Sequence, residues 1–122
     1  KILNCKISSA DEMLNCKDKF NALNVKRILL KGGHMLEDKK IVTDILFNQE
    51  NIHKFSNKRI KTKNTHGTGC SLASALTANL FLGKSLQESV KTSINFVHNG
   101  IKKSFRIGEG HNPINHFANF IS

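Results

Sequence analysis

The 122 residues carry 19 Lys and Arg against 9 Asp and Glu, a formal charge of +10, with 39% hydrophobic residues and a single proline. That is the size of one small domain able to bury a core, with no Gly/Ser-rich linker, repeat, signal peptide or bilayer-length apolar run, so a cytoplasmic protein without a membrane partner is expected. The positive charge is compatible with phosphate backbones, but the lysines run along the whole chain and the aromatics are eight Phe without Trp or Tyr, so no nucleic-acid partner is expected.

Ser9 and Glu12 have the spacing of a capping box, which predicts a helix after Ser9. Met13, Cys16, Phe20 and Leu23 fall on one face of it, which makes Cys16 a core residue. Asn24 ends this helix, and Val25 to Leu30 reads as a short apolar strand delivering Lys31-Gly32-Gly33-His34. Ile41 to Phe47 is a second strand, and Asn48-Gln49-Glu50-Asn51 is a turn into a third around Ile52 to Phe55, which together make a hairpin. Lys58 to Thr62 continues extended into Asn64-Thr65-His66-Gly67-Thr68-Gly69-Cys70. From Gly69 a helix follows with Leu72, Ala75, Leu76, Asn79 and Leu80 on one face, ending near Gly83.

Ser85 and Glu88 form a second capping box, and Val90, Ile94, Val97, Ile101 and Phe105 repeat at helical spacing behind it. From Gly108 the tail is loop-like, with Gly110 and Pro113, before a short Ile114 to Ile121 segment that packs back on the body. Strands interleaved with helices indicate an α/β fold.

The chemistry concentrates at residues 64–70. Gly67 and Gly69 let backbone N–H groups turn toward a ligand at the positive end of the following helix, where phosphate is the expected guest. Cys70 lies in the same turn, and the helix end favours its thiolate, making it a candidate base or nucleophile. Cys5, Cys16 and Cys70 are odd in number and lack CxxC spacing, so neither a disulfide framework nor a zinc site is indicated. His111 and His116, five apart with no carboxylate partner, are poor metal ligands and are expected to make structural tail contacts.

LLKGGH, NTHGTGC and GEGHNPINHF, in that order, resemble the hydroxymethylpyrimidine and phosphomethylpyrimidine kinases of thiamine biosynthesis, members of the ribokinase-like superfamily. The resemblance covers essentially all 122 residues but only about the C-terminal half of such a kinase, so the chain is expected to be one part of a single kinase domain whose N-terminal half is missing. It implies a three-layer fold with a central, mostly parallel sheet flanked by helices. It implies an anion hole at Gly67, Thr68, Gly69 and Cys70, with Cys70 as general base. Lys31, Gly32 and Gly33 become nucleotide contacts, while His34 and His66 stay open between orienting roles and contact. ATP is the implied co-substrate and a small pyrimidine the acceptor. The ligands of Mg2+ are expected mainly from the missing half, and a homodimer of the full-length protein is left open.

The family's usual glycine before the tail proline is Asn112 here, which puts the tail backbone in question. Pyridoxal kinases of the same branch share the GTGC motif, and a noncatalytic nucleotide- or partner-binding remnant is a third reading. The isolated chain is expected to be inactive.

Overall fold

The structure, a computed structural model, describes residues 6–33, 39–104 and 107–120. Its elements are α1 (Ala10–Leu14), α2 (Lys17–Ala22), β1 (Arg27–Leu30), β2 (Ile41–Asn48), β3 (Asn51–Lys58), α3 (Thr68–Phe81) and α4 (Leu86–Lys102). Two compact units divide the chain, Lys1–Arg59 and Ile60–Ser122.

In the first unit, Ser9 accepts the Glu12 amide at 3.1 Å, as a capping residue should. The Glu12 carboxylate accepts from the Ser8 amide and hydroxyl, and the Ser8 amide above all, with a smaller contribution from the Ser9 amide, holds it below its ordinary pKa. The single helix expected after Ser9 is two helices with a break at Asn15 and Cys16. Asn competes with helical bonding, and Cys16 serves as the N-cap of α2 while its thiol donates to Glu12 O at 3.2 Å. Met13, Cys16 and Phe20 are buried as the periodicity requires, whereas Leu23 is 51% exposed. The reason is local: α2 stops at Ala22, and Asn24 adopts φ 57, turning the chain away.

β2 is the middle strand of a three-stranded sheet ordered β1-β2-β3. The hairpin is present, with Asn48 opposite Asn51 and Phe47 opposite Ile52, and β1 pairs on the other side with Leu30 opposite Ile45. Met13, Ile45 and Phe47 form the core of this unit, with Ile7, Leu14, Ile28 and Leu30 packed around them. Sheet and helices together make the expected α/β architecture, but all three strands pair antiparallel. The parallel pairing expected of the complete fold is not found between these strands. Residues 31–40 are short of the dozen or more that a parallel crossover needs.

In the second unit, α3 and α4 form a helical hairpin turned by Gly83 at φ +83. Ser85 caps α4 by accepting the Glu88 amide at 3.2 Å, and Leu72, Val90, Ile94 and Val97 are buried. Asn79 Nδ2 donates to Ser93 Oγ at 3.3 Å, and Ser93 Oγ donates to Ser89 O at 2.6 Å, so the polar groups of this interface are bonded. The tail packs back as expected, with Ile114 and Ala118 buried. The Asn115 amide donates to Gly100 O at 2.9 Å. Cys5, His34 and Phe105 lie outside the described residues. Among the described residues no helix is long and apolar enough to cross a membrane.

Candidate functional site

Gly67 is the N-cap of α3, with φ 84 and ψ 5, a left-handed conformation that costs a side chain roughly 1–2 kcal/mol. The helix therefore starts at Thr68, one residue before the Gly69 expected from the sequence. Among the described residues the amides of Gly67, Gly69 and Cys70 meet no acceptor, Thr68 N reaches Thr65 O only at 3.4 Å, and Ser71 N turns back to Gly67 O at 2.9 Å. Orphan N–H groups at the positive end of a 14-residue helix are what an anion binds. The Cys70 thiol is free and exposed in that turn, whereas Cys16 is buried. A Cβ placed on Gly69 would meet nothing within 4 Å, so the space in front of this residue is open.

The tail lies along this segment. His66 N donates to Asn112 O at 3.2 Å and His66 O accepts Ile114 N at 3.4 Å, forming a parallel bridge between His66 and Pro113. His66 thus orients the loop through its backbone. Asn112, where the resemblance expects glycine, is buried. Its Oδ1 accepts the Ile107 and Gly108 amides at 2.9 and 2.8 Å, and its Nδ2 donates to Gly110 O at 3.1 Å. Asn112 is not among the described residues with positive φ, so glycine is not required there. His111 and His116 make tail contacts, to Lys63 O and Ser71 Oγ respectively. Among the described residues no three His, Cys, Asp or Glu side chains gather to hold a metal.

The first unit holds the second motif. Since Leu30 faces Ile45, continuing the antiparallel register sets Lys31 opposite Asp44. The Lys31 ammonium is ion-paired with Asp44 Oδ2, and Gly32 N donates to Asp44 Oδ1 at 2.9 Å. Arg59 Nη1 donates to Gly33 O at 2.9 Å, holding the turn from its far side. Asp44 was not singled out from the sequence. The available signal was a carboxylate inside IVTDILF, because a buried charge needs partners.

The Asp44 side chain is 3% exposed and that of Lys31 45%, which makes the two partners unequal. Lys31→Met leaves a buried carboxylate without its counter-charge and is expected to cost about 3 kcal/mol. Asp44→Asn keeps an oxygen for Gly32 N and releases an ammonium that can hydrate, so about 1–2 kcal/mol is expected. Urea denaturation of the two variants checks the order; an equal or reversed cost would mean that the pair does not hold the turn.

Comparison with known proteins identifies the family. A family model described as phosphomethylpyrimidine kinase matches residues 1–115. The hydroxymethylpyrimidine/phosphomethylpyrimidine kinase of Bacillus subtilis strain 168 is 38% identical over 112 residues, covering 92% of this chain and 41% of the relative. The enzyme of the same name from Staphylococcus aureus strain Mu50 is 42% identical over 99 residues, covering 81% of this chain and 36% of the relative. The chain thus spans about two fifths of the length of these curated relatives. Among solved structures, an ADP complex of Bacillus subtilis pyridoxal kinase superposes with a TM-score of 0.87 at 28% identity, covering 97% of this chain and 44% of that one. Pyridoxal kinase from Staphylococcus aureus with AMP-PCP and pyridoxal gives 0.85 at 26% identity, covering 93% and 42%. The fold is therefore the ribokinase-like one, and with a family model matched over nearly its whole length the chain belongs to the phosphomethylpyrimidine kinase family.

Proposed function

We propose that residues 1–122 are the C-terminal part of a single kinase domain that uses ATP to phosphorylate 4-amino-5-hydroxymethyl-2-methylpyrimidine and then its monophosphate. The observation that carries this reading is the first turn of α3, where the Gly67, Gly69 and Cys70 amides are unbonded beside an exposed thiol. Phosphoryl transfer needs positioning and charge neutralisation more than covalent chemistry. Amides facing the transferring group supply that stabilisation without reorganising during reaction. Cys70 is the proposed base that accepts the alcohol proton in the first step; the second acceptor is already an anionic phosphate. The Lys31-Gly32-Gly33 turn is the proposed nucleotide contact.

A magnesium ion accompanying ATP finds no cluster of three ligands among the described residues. Its ligands and the acceptor pocket are assigned to the N-terminal part that completes the domain. The complete enzyme is read as a cytoplasmic protein acting on small molecules. Pyrimidine is favoured over pyridoxal as acceptor because the curated relatives reach 38–42% identity, against 26–28% for the two pyridoxal kinase structures.

The test is a chimera in which this chain replaces the matching segment of the Bacillus subtilis relative. Phosphorylation of hydroxymethylpyrimidine and its monophosphate is expected, with pyridoxal turned over more slowly. A soluble chimera that binds ATP and phosphorylates neither pyrimidine would refute the assignment.

A further inference from the structure

The tail meets the anion-hole segment at successive points in parallel order. His111 Nδ1 donates to Lys63 O at 3.2 Å, Asn112 and Ile114 bracket His66 through backbone bonds at 3.2 and 3.4 Å, and His116 Nε2 shares a hydrogen bond of 2.7 Å with Ser71 Oγ. The loop is therefore gripped before Gly67 by backbone bonds and the His111 ring, and after Cys70 by a side-chain pair. The tail is in turn fixed to α4. Asn115 Nδ2 donates to Lys103 O at 3.1 Å, Lys103 Nζ donates to Ala118 O at 2.9 Å, and a Cβ on Gly100 would sit only 3.1 Å from Asn115 O. Gly100 is what lets the tail approach the helix so closely.

We infer that residues 111–116 are a strap that sets the geometry of the anion hole, and that His116, acting through Ser71, is a positioning residue for the transferring phosphate. The inference rests on the reading of residues 67–70 as an anion site. Ser71 is buried in the first turn of α3 and follows Cys70 directly. With its hydroxyl held by His116, the Ser71 amide is left to close the turn on Gly67 O. Without that partner the hydroxyl can turn back to the same carbonyl, a local competition that loosens a helix start. The Gly69 and Cys70 amides then lose their common direction. His116 is itself exposed, so losing its ring should cost little global stability. That separates a positioning effect from a folding defect.

The experiment uses the full 122-residue chain, isotopically labelled and titrated with inorganic phosphate at millimolar concentrations, reading the Gly69 and Cys70 amide shifts. His116→Ala and Ser71→Ala are each expected to weaken phosphate binding about tenfold, the scale of one net hydrogen bond. The double variant should be no weaker than either single one, because both remove the same contact. His116→Gln, which keeps a polar atom at similar reach, should restore most of the affinity, and the urea midpoint should stay that of the wild type throughout. Wild-type binding with His116→Ala unaffected overturns the strap and leaves the anion site standing. Loss in His116→Ala with none in Ser71→Ala also overturns it, since the imidazole would then act on the ligand directly. A fall in urea midpoint that accounts for the lost affinity, without recovery in His116→Gln, assigns His116 to the fold alone. Absence of phosphate-induced shifts in the wild type removes the anion-site reading itself, and the strap with it.

Discussion

Cys70→Ala, introduced into the chimeric kinase, is expected to slow phosphorylation of hydroxymethylpyrimidine by about 10²–10⁴, the usual contribution of a general base, while phosphorylation of the monophosphate falls far less. The asymmetry follows from the acceptors. An alcohol must lose a proton as the new O–P bond forms, whereas a phosphate oxygen already carries the negative charge. The anion hole is built from backbone N–H groups, which alanine keeps, so ATP binding should be nearly preserved. Single-turnover assays with each acceptor separate the possibilities. Equal losses on both would assign Cys70 to positioning the γ-phosphate or supporting the loop, and unchanged rates would make it a surface residue. A thiol-specific alkylating reagent offers an independent check: exposed Cys70 should be modified and buried Cys16 spared.

What could be read without coordinates was the part encoded locally. Ser9 with Glu12 and Ser85 with Glu88 announce helix starts because a cap is a contact between residues three apart, and both serines do accept the amides expected of them. The 48–51 turn between two apolar runs announces the β2–β3 hairpin for the same reason. The glycine spacing in NTHGTGC placed the unbonded amides to within one residue of where α3 begins. What escaped depends on register and on residues far apart in the chain. Asp44 holds the KGG turn only because β2 pairs with β1 so that Lys31 falls opposite it, and nothing in IVTDILF alone sets that register. The Ser71–His116 contact joins residues 45 apart, and no periodicity reports such a pair. Asn112, where the resemblance expects glycine, has a role its position did not announce: its amide binds the 107–110 loop from inside. The break between α1 and α2 was hidden because Met13, Cys16 and Phe20 keep helical spacing across it.

Gly69→Ala should separate stability from function. Gly69 lies in the first turn of α3 without a left-handed backbone, since the positive-φ glycines among the described residues are Gly67 and Gly83, and its Cβ would touch no part of the chain. Internal sterics therefore do not require glycine there, and alanine is the better helix former by up to about 1 kcal/mol. A gain in stability of about 0.5 kcal/mol, read as a small rise in urea midpoint, is expected. The same methyl group would occupy the open space at Gly69, beside the N–H groups proposed to receive phosphate oxygens. Displacing the transferring group by even about an ångström can cost on the order of 10² in rate, and a comparable loss of phosphoryl transfer is expected in the chimera. Gly67→Ala is the contrasting control, since φ 84 at the cap should make it cost about 1–2 kcal/mol of stability. A Gly69→Ala protein that is more stable, yet catalyses transfer poorly, would mean that the glycine is kept for the ligand and not for the fold. Wild-type transfer rates in that variant would mean that the phosphate does not approach over Gly69, and the anion hole would have to be placed elsewhere on the chain.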